Sequence, residues 1–227
     1  MLGMVTEKEI VRDYFNNVGF DRWRKIYGDA EVSKVQKDIR EGHQQTIAYV
    51  LNWFKNQSQP LPTPLTVCDA GCGTGNLSLP LAQMGMEVYA SDIAEKMVEE
   101  AKRLATDPEN PKFSVSDLSE LNGEYHTVVC LDVMIHYPET ELPNLIQHLA
   151  SLAKSRLIIS FAPKNLYYTL LKKVGESFSG SSKTTRAYLH NPAEVRRILT
   201  GLGFKVKRQE FTATQFYYSR LLEAVRS

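Results

Sequence analysis

The chain has 227 residues, 43% of them hydrophobic, with 27 basic against 26 acidic side chains for a net charge of +1. That is enough for one sizeable core, and it excludes both a disordered chain and the strong basic bias of a general nucleic-acid binder. No apolar run reaches the roughly 20 residues needed to span a bilayer, and MLGMVTEKEI has no signal or transit character; a cytoplasmic protein, at most peripherally attached to a membrane, is expected.

Residues 1–50 read as an N-terminal helical cap, in which VRDYFNNVGFDRWRKIYGD interleaves Tyr14, Phe15, Phe20, Trp23 and Tyr27 with Arg12, Arg22, Arg24 and Lys25. Residues 51–227 form the main domain. Its first strand ends at Asp69 and opens directly into Gly71, Cys72, Gly73 and Gly75, in the stretch LTVCDAGCGTG. Glycine serves where the backbone takes a positive φ or presses against a ligand, and the helix that follows, over 76–84, presents free N–H groups at its start. The dinucleotide fingerprint G-x-G-x-x-G needs glycine at position 76, where this chain has Asn76. The pattern then predicts strand 87–91, helix 94–105, strands 113–116 and 126–132, helix 140–153 and strand 156–161. A helix follows from Pro192, and FKVKRQEFTA and QFYYSRLLEAVR read as paired strands. This is a doubly wound sheet finished by an antiparallel hairpin, with the ligand expected outside the carboxyl end of the first strand.

Three further aspartates close strands in order. Asp92 follows the glycine turn by the interval of about 20 residues at which a carboxylate accepts hydrogen bonds from ribose hydroxyls; Asp117 and Asp132 follow the next two strands. Cys68, Cys72 and Cys130 form no C-x-x-C pair and read as reduced and structural, and the five histidines lack metal-binding spacing, so no protein-bound metal is expected. Residues 163–190 form an inserted lid, beginning with the apolar-periodic NLYYTLLKKVGESF and continuing into SGSSKTTR. Four lysines and one arginine against one glutamate give it a net charge of +4. Its apolar and basic character suits a flat ligand with anionic groups, or an anionic lipid surface.

The glycine turn resembles motif I of class I methyltransferases that use S-adenosylmethionine. VRDYFNNVGFDRWRKIYGD, VQKDIREGHQQT, DAGCGTGNLSLPLA, SDIAEKMVEEA, CLDVMIHYP, SKTTRAYLH and FYYSRLLEAVRS extend the likeness over almost the whole chain. Together they resemble the magnesium-protoporphyrin IX O-methyltransferases of chlorophyll synthesis.

The resemblance implies a Rossmann-like seven-stranded α/β sheet with helices on both faces. It implies methyl transfer from S-adenosylmethionine to a propionate carboxylate of magnesium protoporphyrin IX, which also supplies the only magnesium. Cofactor contacts are implied at Asp69, Gly71, Cys72, Gly73, Gly75, Asp92, Ile93, Met97, Asp117, Leu118 and Leu131. Beside the methyl-transfer point it places His136, to orient or deprotonate the propionate or bind its magnesium, and Tyr27. Implied partners are the porphyrin-binding subunit of magnesium chelatase and a thylakoid or plasma membrane surface. A quinone-precursor O-methyltransferase and a non-catalytic porphyrin carrier are the competing readings. Arg40 and His43, on the helix before the first strand, read as a solvated helical face in preference to contacts with the cofactor carboxylate, and His126, His148 and His190 as structural or surface residues.

Overall fold

The computed structural model describes residues 6–28, 31–56, 63–164 and 187–227. Three helices come first: α1 (Glu7–Asn16), α2 (Val18–Tyr27) and the 22-residue α3 (Lys34–Lys55). Local signals start two of them. Thr6 caps α1 and Ser33 caps α3, with Glu9 and Gln36 three residues on returning the hydrogen bond to the cap backbone.

The rest alternates as β1 (Thr66–Ala70), α4 (Ser78–Gln83), β2 (Glu87–Asp92), α5 (Glu95–Leu104), β3 (Lys112–Val115), β4 (Tyr125–Cys130), α6 (Leu142–Leu152) and β5 (Ala153–Phe161). Then come α7 (Pro192–Gly201), β6 (Phe204–Ala213) and β7 (Tyr218–Arg226). Asn191 caps α7 through its side chain, and Pro192 starts it where no N–H is needed.

The seven strands lie in the order β3-β2-β1-β4-β5-β7-β6, parallel through β5, with β7 antiparallel to both neighbours. The winding reverses between β1 and β4. In an open α/β sheet the crevice for a ligand forms at that reversal, beyond the carboxyl ends of the strands.

Apolar clusters cover both faces. On one, α6 and α7 bring Ile146, Leu149, Val195 and Leu199 against Val128, Leu157 and Phe161. On the other, α3 and α4 bring Val50, Trp53, Phe54 and Leu81 against Val67, Val88, Ile158 and Leu221. Beneath α3, Arg156 and Arg208 converge on Glu223, and their guanidinium groups lie over the rings of Phe54 and Trp53.

Two strand expectations need correction. The strand expected over 126–132 stops at Cys130, because Asp132 adopts φ 57°, which no strand tolerates. The last strand begins at Tyr218: residues 214–217 form a turn closed by the Thr214 amide on the Tyr217 carbonyl (2.9 Å) and by Asp38 of α3. That carboxylate accepts from the Thr214 hydroxyl (2.6 Å) and from the amides of Gln215 and Phe216.

The helix and tip expected in NLYYTLLKKVGESF and SGSSKTTR lie outside the described residues. The base of that insertion is described: the His190 amide donates to Ala162 O (2.9 Å), the Lys164 amide to His190 O (2.7 Å) and the Tyr188 amide to Ile135 O (2.7 Å). Among the described residues no helix is long and apolar enough to cross a membrane.

Candidate functional site

One cavity of about 630 Å³ opens at the winding reversal. That volume lies within the usual range of small-molecule sites, roughly 300–1,000 Å³. Its floor is the loop after β1. Gly71 has φ 85°, and a Cβ there would lie 2.2 Å from Val133 Cγ2, so both the conformation and the close approach demand glycine. The Gly73 amide points to Asp92, donating to Oδ2 at 3.0 Å, while the Ala94 amide donates to Oδ1 at 2.9 Å.

Asp69, Gly71, Cys72, Gly73, Asp92, Ile93, Met97, Leu118 and Leu131 all line this one cavity. Gly75 and Asp117 do not. Gly75 faces Leu79, Ala101 and Phe113. Asp117 lies beside a shallower hollow, where Lys8 of α1 donates to its Oδ1 at 2.9 Å and the amide and hydroxyl of Ser119 share the same oxygen.

The cavity carries more acid than base at depth. Burial pushes the Asp69 carboxyl up to about 6, against a bond from the Ser78 hydroxyl, and burial raises Asp92 as well. Asp132 goes the other way. Burial pushes it up, but hydrogen bonds from the side chains of His43, Tyr217 and Ser160 outweigh that, so it stays ionised. Three carboxylates lining one cavity suit a ligand with positive charge.

The wall opposite is aromatic. His136, Phe15, Trp23, Tyr27 and His43 follow one another with ring centroids 5.5, 6.3, 5.3 and 4.6 Å apart. Helix α1 supplies Phe15, α2 supplies Trp23 and Tyr27, and α3 supplies His43, so the first three helices form part of the cavity wall. Burial lowers the His136 imidazole to about 4, leaving it neutral at pH 7, and its buried Nδ1 has no partner among the described residues. Burial and the carboxylates of Asp132 and Asp92 hold the Tyr27 phenol well above its usual value, so it enters the cavity as a hydrogen-bond donor.

Arg40 and His43 do not form a solvated face. The Arg40 guanidinium donates to the carbonyls of Lys25 and Ile26, tying α3 to the end of α2. His43 is buried, and its Nδ1 lies 2.8 Å from Asp132 Oδ2. The signal was present in the sequence: His43 sits on the apolar stripe Ile39, His43, Thr46, Ile47, Val50, Trp53, Phe54, whose spacing marks the buried side of α3. Tyr217, assigned to a strand from the pattern, lines the cavity from the β6–β7 turn. His190 is structural, with Nε2 2.7 Å from the Met134 carbonyl.

A glycine turn at the reversal, a carboxylate ending β2 and a seven-stranded sheet closed by an antiparallel hairpin define a class I methyltransferase. S-adenosylmethionine fits these residues: each Asp92 oxygen keeps an acceptor position for a ribose hydroxyl beyond the amide it already holds. The carboxylates match the cofactor's positive charge.

Comparison with known proteins narrows the class. Residues 67–156 match the family described as methyltransferase domain, and residues 130–226 that described as magnesium-protoporphyrin IX methyltransferase C-terminus. The chain is 58% identical to the magnesium-protoporphyrin O-methyltransferase of Synechocystis, over 97% of both sequences. It is 55% identical to the chloroplastic magnesium protoporphyrin IX methyltransferase of Arabidopsis thaliana, over 96% of this chain and 71% of that one. A crystal structure of the Synechocystis enzyme with bound SAH superposes with a TM-score of 0.86 at 56% identity, covering 98% of this chain and 100% of that one. This chain belongs to the magnesium-protoporphyrin O-methyltransferase family.

Proposed function

We infer that this protein transfers the methyl group of S-adenosylmethionine to a propionate carboxylate of magnesium protoporphyrin IX, giving the monomethyl ester and S-adenosylhomocysteine. The observation that carries this reading is a single cavity in which the carboxylates of the switch point face an aromatic wall ended by two histidines, in a chain of this family.

The cofactor supplies an electrophilic methyl carbon: a carboxylate oxygen bonds to it as the carbon–sulfur bond breaks, with that electron pair staying on sulfur. A propionate with an ordinary pKa of about 4–5 is ionised at neutral pH, so no base is required to create the nucleophile. The protein's task is to bind, orient and exclude water, and holding the reacting groups in line is worth several kcal/mol of barrier.

In this reading Asp69, Gly71, Cys72, Gly73, Asp92, Ile93, Met97, Leu118 and Leu131 bind the cofactor. Gly75 shapes the loop, and Asp117 contributes through its contact with Lys8. His136, neutral and buried against Phe15, orients the propionate or binds the porphyrin magnesium, and Tyr27 donates its phenol proton to a ligand oxygen. The apolar rings of Phe15, Trp23 and Phe216 suit the macrocycle. Residues 1–50 act as its cap and the insertion at 163–190 as its lid. Cytoplasmic location, contact with a membrane surface and delivery by the porphyrin-binding subunit of magnesium chelatase complete the proposal on the strength of the resemblance.

The test is turnover of purified protein with S-adenosylmethionine and magnesium protoporphyrin IX, followed by chromatography for the monomethyl ester, with a catechol offered in parallel. Ester formation is expected; a methylated catechol without ester would move the activity to the quinone-precursor class, and porphyrin binding without any S-adenosylhomocysteine would make the protein a carrier.

A further inference from the structure

Four side chains converge on the Asp132 carboxylate in the cavity. Its backbone, at φ 57°, takes the left-handed conformation that costs an ordinary residue about 1–2 kcal/mol and that aspartate tolerates better than most. That conformation turns the carboxylate toward donors from four parts of the chain. His43 Nδ1 of α3 (2.8 Å) and Tyr217 Oη of the β6–β7 turn (2.7 Å) share Oδ2. Ser160 Oγ of β5 (2.9 Å) and Ser219 Oγ of β7 (3.3 Å) share Oδ1. An ionised carboxylate only accepts, so His43 carries its proton on Nδ1.

The surroundings are built to permit this meeting. A Cβ on Gly42 would lie 2.4 Å from Tyr217 Cδ1, so α3 passes the tyrosine ring only because residue 42 lacks a side chain. Tyr217 Oη also lies 3.1 Å from Thr46 Oγ1, one helical turn beyond Gly42. The His43 ring also meets Tyr27, centroids 4.6 Å apart and planes inclined by 38°. The chain of contact therefore runs from a fixed carboxylate, through a fixed imidazole, to a ring at the reacting cavity.

We propose that Asp132 is a positioning residue for methyl transfer: by holding Nδ1 of His43 it sets the imidazole plane, and that plane sets the Tyr27 ring. The proposal rests on the methyl-transfer reading, so the parent enzyme is assayed first; no ester from the parent defeats that reading and leaves the variants to be judged on the activity found.

With an active parent, Asp132→Asn keeps the shape and tolerates the left-handed backbone, but puts an amide in place of one carboxylate oxygen. The expected result is a kcat lowered roughly tenfold or more, with affinity for S-adenosylhomocysteine, measured by calorimetry, within about threefold. The far-downfield proton resonance of the His43 Nδ1–H is expected in the parent and lost in the variant. His43→Asn keeps a donor for Asp132 without a ring for Tyr27 to rest on. It should lower kcat comparably, and the double variant should lose little more, since both remove one unit.

A kcat within about twofold of the parent in Asp132→Asn, a loss confined to cofactor affinity, or strictly additive losses would overturn the proposal. Should Asp132→Asn fail to fold, His43→Asn decides by the same kcat criterion.

Discussion

Replacing Asp69 by asparagine should make this protein more stable and a poorer binder of its cofactor. Asp69 ends β1 almost fully buried, its Oδ2 accepting from the Ser78 hydroxyl, and burial moves its carboxyl from 3.8 up to about 6. A carboxyl whose pKa is higher folded than unfolded penalises the folded state once ionised. The penalty is fully present above about pH 6, shrinks as the pH falls and is gone below about pH 4. A rise of about two units at 1.36 kcal/mol each amounts to about 3 kcal/mol at neutral pH. Asparagine keeps an oxygen for Ser78 and never ionises. Urea unfolding should therefore find Asp69→Asn the more stable by up to about 3 kcal/mol near pH 8, with the gap closing toward pH 4. Calorimetry near pH 8 should show weaker binding of S-adenosylmethionine, because a negative charge facing a cationic ligand has been removed. A gap that does not change with pH, or a parent that is the more stable near pH 8, would refute the reasoning.

The remaining expectations are simpler. His136→Ala should lower turnover far more than cofactor affinity; since burial holds the imidazole near 4, the parent's rate should show no acid limb around pH 6.5 arising from this residue, and unchanged turnover would make it a packing residue. Gly71→Ala combines φ 85° with a Cβ 2.2 Å from Val133 Cγ2 and should cost about 2–4 kcal/mol in urea unfolding; near-parent stability would mean the loop can shift. Glu223→Ala strands the buried Arg156 beside Arg208 and should cost about 3–5 kcal/mol, so a loss below about 1 kcal/mol would show that water reaches the pair.

Most of the sheet was legible because a buried parallel strand is written as a nearly continuous apolar run, and each such run here is punctuated by glycine, aspartate or proline. The glycine turn and Asp92 were legible for a similar reason: their spacing along the chain is itself the geometry. What escaped was whatever depends on residues far apart meeting. Lys8 reaches Asp117 across 109 positions, and His43 reaches Asp132 across 89. Periodicity places His43 on the inward side of α3, yet nothing local says that a carboxylate waits opposite. Tyr217 escaped differently, since a β-rich stretch reads as strand throughout unless the Asp38 side chain that folds 214–217 into a turn is also known.

The wall around Asp132 also fixes an order of events. Thr46 bonds Thr212 across 166 positions, and Tyr217 bonds Asp132 across 85, so the pieces that meet there leave the ribosome at widely separated times. While β7 is still inside the exit tunnel, β5 has an unpaired edge and the Asp132 carboxylate lacks its tyrosine. The earlier strands can already pair, for their contacts are nearer in sequence. A nascent chain halted after α7 would thus display a five-stranded sheet that has not yet become an enzyme, and its exposed edge is where a chaperone would find its grip.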